Sequence, residues 1–285
     1  MGMANQFKTV ILLGLLTGIL LWVGNLVGGM QGLTIALIFA IVMNFGSYWF
    51  SDKLVLAMYR AKEVKEGDEG ELFSIVREVS HLANTPMPKV YIMEAPYSNA
   101  FATGRSPKKA AVAVTRGIMD LLSKDELKGV VAHEISHIKN RDTLIQAVAA
   151  TIAGVISYVA FMARWAAIFG GFGGDRDGNS GMELLVLAIL TPILAAIIQM
   201  AISRSREFLA DESGAKILHS GFGLADALEK LDGSKSRVAL RSNSKTQTTA
   251  HLFIMNPFKG NSLFRMFSTH PPIKERVKRL RSGSY

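Results

Sequence analysis

Five consecutive residues, His133-Glu134-Ile135-Ser136-His137, have the types and spacing for metal-assisted hydrolysis. Histidines four apart stand on one face of a helix, one turn from each other, so their imidazoles can share a single ion. Glu134, beside the first histidine, can then reach a water at that ion and act as a general base. Composition alone would produce such a string by accident in about one chain in a hundred of this length. Here a helix is built around it. Ser123 and Glu126 form an S-x-x-E start signal after the apolar pair Leu121-Leu122, and Val130, Val131, Ile135 and Ile138 supply an apolar face. The competing reading, two unrelated histidines on a surface helix, accounts for none of that context.

The sequence contains no cysteine, which excludes disulfides, thiolate ligands and a cysteine nucleophile. A transition metal must then be held by His, Asp or Glu, which suits a catalytic zinc with three protein ligands and one water. Candidates for the third ligand lie in Arg204-Ser205-Arg206-Glu207-Phe208-Leu209-Ala210-Asp211, where Glu207 and Asp211 share a helical face. One can bind metal while the other holds a ligand histidine by its free ring N–H. The alternative is a solvated acidic face paired with Arg204 and Arg206.

Of the 285 residues, 49% are hydrophobic and 19% charged, a balance that leans toward a membrane protein. A bilayer core of about 30 Å takes about 20 helical residues to cross. Four stretches are long and apolar enough, near 9–29, 33–51, 143–165 and 182–203. Only Gly28-Gly29-Met30-Gln31-Gly32 separates the first two, which predicts a tight helical hairpin. Pro192 predicts a kink in the fourth. Gln146, Ser157 and Gln199 leave a buried hairpin in a soluble core as the alternative for the second pair. Lys8, Lys53, Arg60, Lys62, Lys139, Arg141, Arg204 and Arg206 gather on one side of the spans. That side reads as cytoplasmic, with both termini and His133 facing the cytosol. The net charge of +9 then fits anionic lipid headgroups rather than nucleic acid, for which no motif is present. The glycine-rich run at 170–174 lacks the Gly-Lys-Ser/Thr of a phosphate cradle and reads as a flexible linker.

The chain therefore divides into a membrane hairpin (1–51), a first cytosolic part (52–142), a second membrane hairpin (143–203) and a second cytosolic part (204–285). Within the cytosolic parts, periodicity predicts a helix over 67–84. It predicts strands at Val90-Tyr91-Ile92-Met93 and Ala111-Val112-Ala113-Val114-Thr115, with a turn around Gly104 to Lys108. Asn99-Ala100-Phe101-Ala102 is a candidate third, exposed strand, whose edge could pair with an extended peptide. Residues 233–250, rich in Ser, Thr, Lys and Arg, read as a mobile loop. Ile273 to Arg281 reads as a basic amphipathic helix packed on the domain, with Ile273, Val277 and Leu280 on one stripe and weak lipid contact. His81, His219 and His251 read as surface or packing residues.

Taken in order, these pieces resemble the HtpX family of integral membrane zinc metalloproteases, related to the CAAX prenyl endopeptidases. The resemblance runs through the paired N-terminal spans, Asn99-Ala100-Phe101-Ala102-Thr103-Gly104, the His133–His137 string, Arg204 to Asp211, and Thr269-His270-Pro271-Pro272. It implies a mainly α fold with a small β-sheet, a zincin-like α+β metalloprotease domain on a four-helix transmembrane part. It implies one zinc ion per chain, held by His133, His137 and Glu207, with Asp211 behind a ligand. Asn99, Ala100, Phe101 and Ala102 would border the substrate cleft. By similarity, His270 is a candidate donor to the charge that develops on the substrate carbonyl; its other reading is that His270-Pro271-Pro272 only caps the last helix. The expected activity is a membrane-bound zinc endopeptidase acting on misfolded or damaged membrane proteins, in stress response and quality control at a bacterial inner membrane. Two alternatives stand beside it. A prenyl-protein-type processing protease needs a large chamber, which four spans are few to enclose. A non-catalytic scaffold would use zinc only to staple two helices. A transporter is disfavoured, because the spans lack ionisable residues at their centres.

Overall fold

A computed structural model describes residues 2–68, 70–144, 206–234, 254 and 271–285. Helix α1 (Gly2–Met58) is two helices joined at a break, where Gly28 (φ −142°, ψ 19°) and Gly29 (φ 53°, ψ −136°) leave helical geometry. The positive φ of Gly29 is one that glycine adopts without steric cost. The two arms fold back on each other: Asn44 Nδ2 donates to Thr17 Oγ1 at 2.8 Å. A Cβ on Gly24 would lie 2.5 Å from Gly32 O, so the arms approach closely at small residues. The hairpin is thus present, and its second arm runs past the expected end at 51 to Met58. Among the described residues, one stretch, Gly28–Gly46, is both long and apolar enough to cross a membrane, and it is almost wholly exposed. The expected third and fourth spans lie outside the described residues, apart from 143 and 144.

Four strands form one mixed sheet in the order β1-β2-β4-β3. They are β1 (Lys62–Val64), β2 (Lys89–Met93), β3 (Ala100–Gly104) and β4 (Ala110–Thr115). β2 and β4 run parallel, and the outer pairs run antiparallel. Alternation along each strand sorts side chains to two faces. Val90, Ile92, Ala100, Ala102, Val112 and Val114 join the main core. Met93, Phe101, Ala111 and Ala113 pack against Val55 and Leu56 of α1, with Tyr59 and Tyr91 at the margin. β3 starts one residue later than the sequence pattern suggested, and it is buried rather than exposed. Small residues at four of its five positions let helices close over both faces.

The main core lies between the sheet and five helices. These are α2 (Gly70–Leu82), α4 (Lys124–Asn140), α5 (206–218), α6 (Phe222–Ser234) and α7 (Ile273–Ser282); the short α3 (Arg116–Leu121) leads into α4. Leu72, Val79, Val130, Ile135, Leu228 and Leu280 meet in it, so residues from both sides of the 145–205 segment share one core. The capping box at the start of α4 is formed: Glu126 N–H donates to Ser123 Oγ at 3.4 Å, and Ser123 N–H donates to the Glu126 carboxylate at 2.7 Å. The helix ends at Arg141, which takes the left-handed conformation (φ 59°, ψ 37°). α4 meets α6 and α5 at nearly backbone distance, one turn apart along the same side. A Cβ on Gly129 would lie 2.5 Å from Leu224 N, and one on Gly214 would lie 3.1 Å from His133 N.

Candidate metal centre

α4 turns His133 and His137 inward, where they are 1% and 3% exposed. α5 crosses them in the opposite direction: Gly214 lies against Ala132 and His133, Asp211 against His133, and Glu207 against both histidines. His133 Nε2 and His137 Nε2 are 3.2 Å apart. Glu207 Oε2 lies 3.5 Å from His133 Nε2, and Glu207 Oε1 lies 3.5 Å from His137 Nε2. Donors about 2.0–2.1 Å from a tetrahedral ion are separated by about 3.3–3.4 Å, so the two ring nitrogens and the Glu207 carboxylate stand near the spacing that four-coordinate zinc requires. The group is buried, and its ligand atoms all lie within 4.8 Å of one another.

The outer ring nitrogens fix the tautomers. His133 Nδ1 is 3.0 Å from Asp211 Oδ1, and His137 Nδ1 is 3.3 Å from Asp142 Oδ2. A carboxylate is an acceptor, so each Nδ1 keeps a proton, and each Nε2 faces inward, where it offers its lone pair once its own proton is displaced. Asp211 is itself gripped by Arg276, whose Nε and Nη2 donate to its two oxygens at 2.8 and 2.7 Å. Arg276 Nη1 donates to Ile254 O at 3.2 Å and lies 3.7 Å from Glu207 Oε2. Ile254 N–H in turn donates to Asn99 Oδ1 at 3.2 Å. Arg206, expected to flank the fourth span, is instead 7% exposed. Its guanidinium makes no hydrogen bond among the described residues, and it lies within electrostatic reach of Asp142 and Glu207.

Burial alone would pull both imidazoles down, but the carboxylates overcome it. Asp211 and Glu207 raise His133, and Asp142 and Glu207 raise His137 to about 10. A metal ion must displace such protons, so its uptake releases them. Burial raises the Asp211 carboxyl, yet Arg276 outweighs that and holds it below the usual range. Glu134 is 4% exposed, and burial pushes its pKa up, against the pull of both histidines. Ala102 N–H donates to Glu134 Oε2 at 2.8 Å and so aims the carboxylate from the edge of β3.

The structure thus gathers His133, Glu134, His137, Glu207, Asp211, Asn99 and Ala102 at one place. Ala100 and Phe101 precede Ala102 on β3 and are buried in the two opposite cores. Gly233 and Ser234, expected to open a loop over 233–250, instead end α6, and the rest of that loop and His270 lie outside the described residues. His81 and His219 are exposed. Two residues of the site escaped sequence reasoning. Arg276 sits on the apolar stripe of α7 between Ile273 and Leu280, where a cation needs a buried partner. Asp142 follows the C-terminus of α4, a place where the helix dipole disfavours an anion unless something else holds it.

A buried His-x-x-x-His helix, with a neighbouring glutamate and a carboxylate from a crossing helix under a small mixed sheet, defines a metallopeptidase of the H-E-x-x-H type. Residues 66–284 match the model of peptidase family M48. The chain is 52% identical over 283 residues to a Protease HtpX homolog of Syntrophobacter fumaroxidans, covering 98% of this chain and all of that one. It is 49% identical over 284 residues to the Protease HtpX homolog of Thermococcus sibiricus, covering 99% and 97%. The chain belongs to the HtpX group of peptidase family M48. Its fold is similar to the crystal structure of S. mikatae Ste24p, with a TM-score of 0.55 at 17% identity; the match covers 98% of this chain and 65% of Ste24p.

Proposed function

We propose that this membrane metalloendopeptidase holds one zinc ion on His133, His137 and Glu207 and uses Glu134 as its base. Its substrates are misfolded or damaged membrane proteins, and its work is quality control under stress. It is a multi-pass protein of a bacterial inner membrane, with the active site and both termini on the cytoplasmic side, where the basic residues flanking the spans lie. The observation that carries the metal assignment is the pair of Nε2 atoms 3.2 Å apart, each 3.5 Å from one oxygen of the Glu207 carboxylate, beside Glu134.

Bound zinc supplies Lewis acidity, lowering the pKa of a water toward about 7 and polarising the substrate carbonyl. Glu134 takes the proton of the attacking water and delivers it to the departing peptide nitrogen. Its raised pKa suits both halves of that task. Asp211 and Asp142 keep the two imidazoles turned to the ion. The substrate lies along β3. Ala102 N–H is spent on Glu134 and not on β4, so the Ala102 carbonyl also points to the outer edge, where an extended peptide can pair. Asn99 Nδ2, buried without a partner among the described residues, is available to the same peptide. His270 is the proposed donor to the charge growing on the carbonyl oxygen, a contribution of about 100- to 1000-fold in rate.

Purified Glu134→Gln should retain one equivalent of zinc and lose about 100- to 10,000-fold in cleavage of an unfolded substrate. Glu207→Ala should lose the zinc itself. A Glu207→Ala protein that holds a full equivalent as tightly as the parent would sink the ligand assignment, and an active Glu134→Gln would sink the mechanism.

A further inference from the structure

The turn between β3 and β4 carries Arg105, Lys108 and Lys109, and none of the three takes part in the metal centre. Independent contacts tie this turn to the apolar hairpin. The Arg105 guanidinium lies 3.9 Å over the Trp49 ring. Trp49 is three residues beyond the apolar stretch Gly28–Gly46, about 4.5 Å further along the helix. Lys53 stands 5.6 Å over the ring of Phe50, one turn of helix away from Trp49. Trp49 and Phe50 are 41% and 52% exposed despite those cations. From the other direction, Thr143 Oγ1 donates to Gly104 O at 2.7 Å. The chain enters its next apolar stretch at that point, so both membrane-directed segments meet the same end of β3.

Aromatic rings at the end of an apolar helix, with cations just beyond them, mark the headgroup level of a bilayer. Lys108 and Lys109 belong to the turn that Arg105 ties to this end of the helix. Both are exposed, and their ammonium groups pair with no carboxylate among the described residues. Asp52, beside Lys53 in sequence, lies within electrostatic reach of Tyr91 on the sheet face. We propose that the β3–β4 turn is a docking surface for the phosphates of anionic phospholipids, with Lys108 and Lys109 on the headgroups and Arg105 stacked on Trp49 at the boundary. This rests on the reading that the α1 hairpin crosses the bilayer. It sets the depth of the active site. Ala102, which aims Glu134, is three residues up β3 from Arg105, about 10 Å. A polypeptide leaving the bilayer therefore needs only about three extended residues to reach the base.

The absence of cysteine allows a direct test. Ser106→Cys places a single fluorophore on the turn of the full chain, reconstituted in nanodiscs containing lipids with a headgroup quencher. Discs of phosphatidylcholine alone are compared with discs that also contain phosphatidylglycerol. Quenching should be stronger with phosphatidylglycerol and should weaken as salt is raised. Lys108→Gln with Lys109→Gln should lower the apparent affinity for phosphatidylglycerol about 25-fold, at about five-fold per lysine. Zinc content should stay unchanged, and Lys108→Arg with Lys109→Arg should restore the parent response. A label blind to phosphatidylglycerol, or a glutamine variant that quenches like the parent, overturns the proposal while leaving the hairpin reading intact. Release of the whole chain from vesicles by alkaline carbonate overturns both.

Discussion

Replacing Asp142 and Asp211 in turn should separate metal affinity from folding, because the two carboxylates behind the ligand histidines are tied into the protein differently. Asp142→Asn keeps an acceptor for the His137 Nδ1–H and removes only the charge. Losing a carboxylate behind a metal-bound histidine typically costs 10- to 100-fold in affinity, about 10-fold at the low end. The 3.3 Å contact is long for a charge-assisted hydrogen bond, so the low end applies, equivalent to about 1.4 kcal/mol. Asp211→Asn does something else. It removes the negative charge and one of the two acceptors that Arg276, whose side chain is 0% exposed, grips, leaving only Glu207 at 3.7 Å to balance the buried cation. Removing one member of such a buried pair costs about 3–5 kcal/mol, a large part of a typical stability of about 5–15 kcal/mol. The metal-free Asp211→Asn protein should melt about 10 °C or more below the parent, against a much smaller change for Asp142→Asn. Adding Arg276→Met to Asp211→Asn removes the under-compensated cation and should recover most of the stability but not the zinc affinity. Zinc affinity is read by competition with a chelating dye, and stability by thermal unfolding in detergent with and without metal. If Asp142→Asn binds zinc like the parent, or Asp211→Asn melts with it, the carboxylates do not hold the site in this way.

Ala102→Pro removes the N–H that Glu134 accepts without touching a bond to β4. Losing a hydrogen bond to a charged group costs about 1.5–3 kcal/mol, so turnover should fall about 10- to 100-fold with zinc content unchanged. Because that N–H favours the charged carboxylate, the acid limb of the pH–rate profile should move to higher pH; an unmoved limb would show that Ala102 does not act on the base. Glu126→Gln tests the start of α4. Burial opposes the Glu126 charge, but Lys230 and Ser123 bond to it and hold its pKa below the ordinary 4.5. A carboxyl depressed on folding stabilises above its unfolded pKa, and that contribution disappears as pH falls through the folded value. The variant should therefore be about 1 kcal/mol less stable near neutrality, and the gap to the parent should close as pH falls below the ordinary carboxylate range in acid titrations followed by circular dichroism.

Local signals that needed only neighbours in sequence were legible. The capping box at Ser123 and Glu126, the glycine break between the arms of α1 and the apolar period of α2 each involve residues within a few positions, and each occurs near its expected place. The sequence left open which acid of the 204–211 segment turns to the histidines and which stands behind. That choice depends on the antiparallel crossing of α5 at Gly214, a tertiary contact with no local signature. β1 escaped notice because Lys-Glu-Val has no alternation of its own and becomes a strand only by pairing with Val90 to Ile92. The burial of β3 was missed for a similar reason: its exposure depends on helices far away in the chain, not on Ala-Phe-Ala-Thr-Gly itself. Arg276 is one of several basic residues between Ile273 and Arg281, although it lies on the stripe with Ile273, Val277 and Leu280. Charge alone could not reveal that Asp211 waits beneath it.

The segment after α4 joins the two halves of the chemistry. Arg141 takes a left-handed conformation that costs a non-glycine residue about 1–2 kcal/mol. The surroundings over-determine it, as such strain requires. Asp142 N–H donates to His137 O at 2.9 Å, and the Asp142 carboxylate meets the His137 ring from the same turn. One residue later Thr143 bonds Gly104 O, at a glycine whose φ of 127° no other residue adopts readily and whose Cβ would strike Lys109 O at 2.2 Å. Two residues back along β3, Ala102 holds the base. A candidate metal ligand, its carboxylate, the edge that aims Glu134 and the β3–β4 turn thus share one connection. Any motion of β3 on accepting a peptide must displace Glu134 and the backing of His137 together, so the base and the ion keep their relative position only because the end of α4 is tied to that strand.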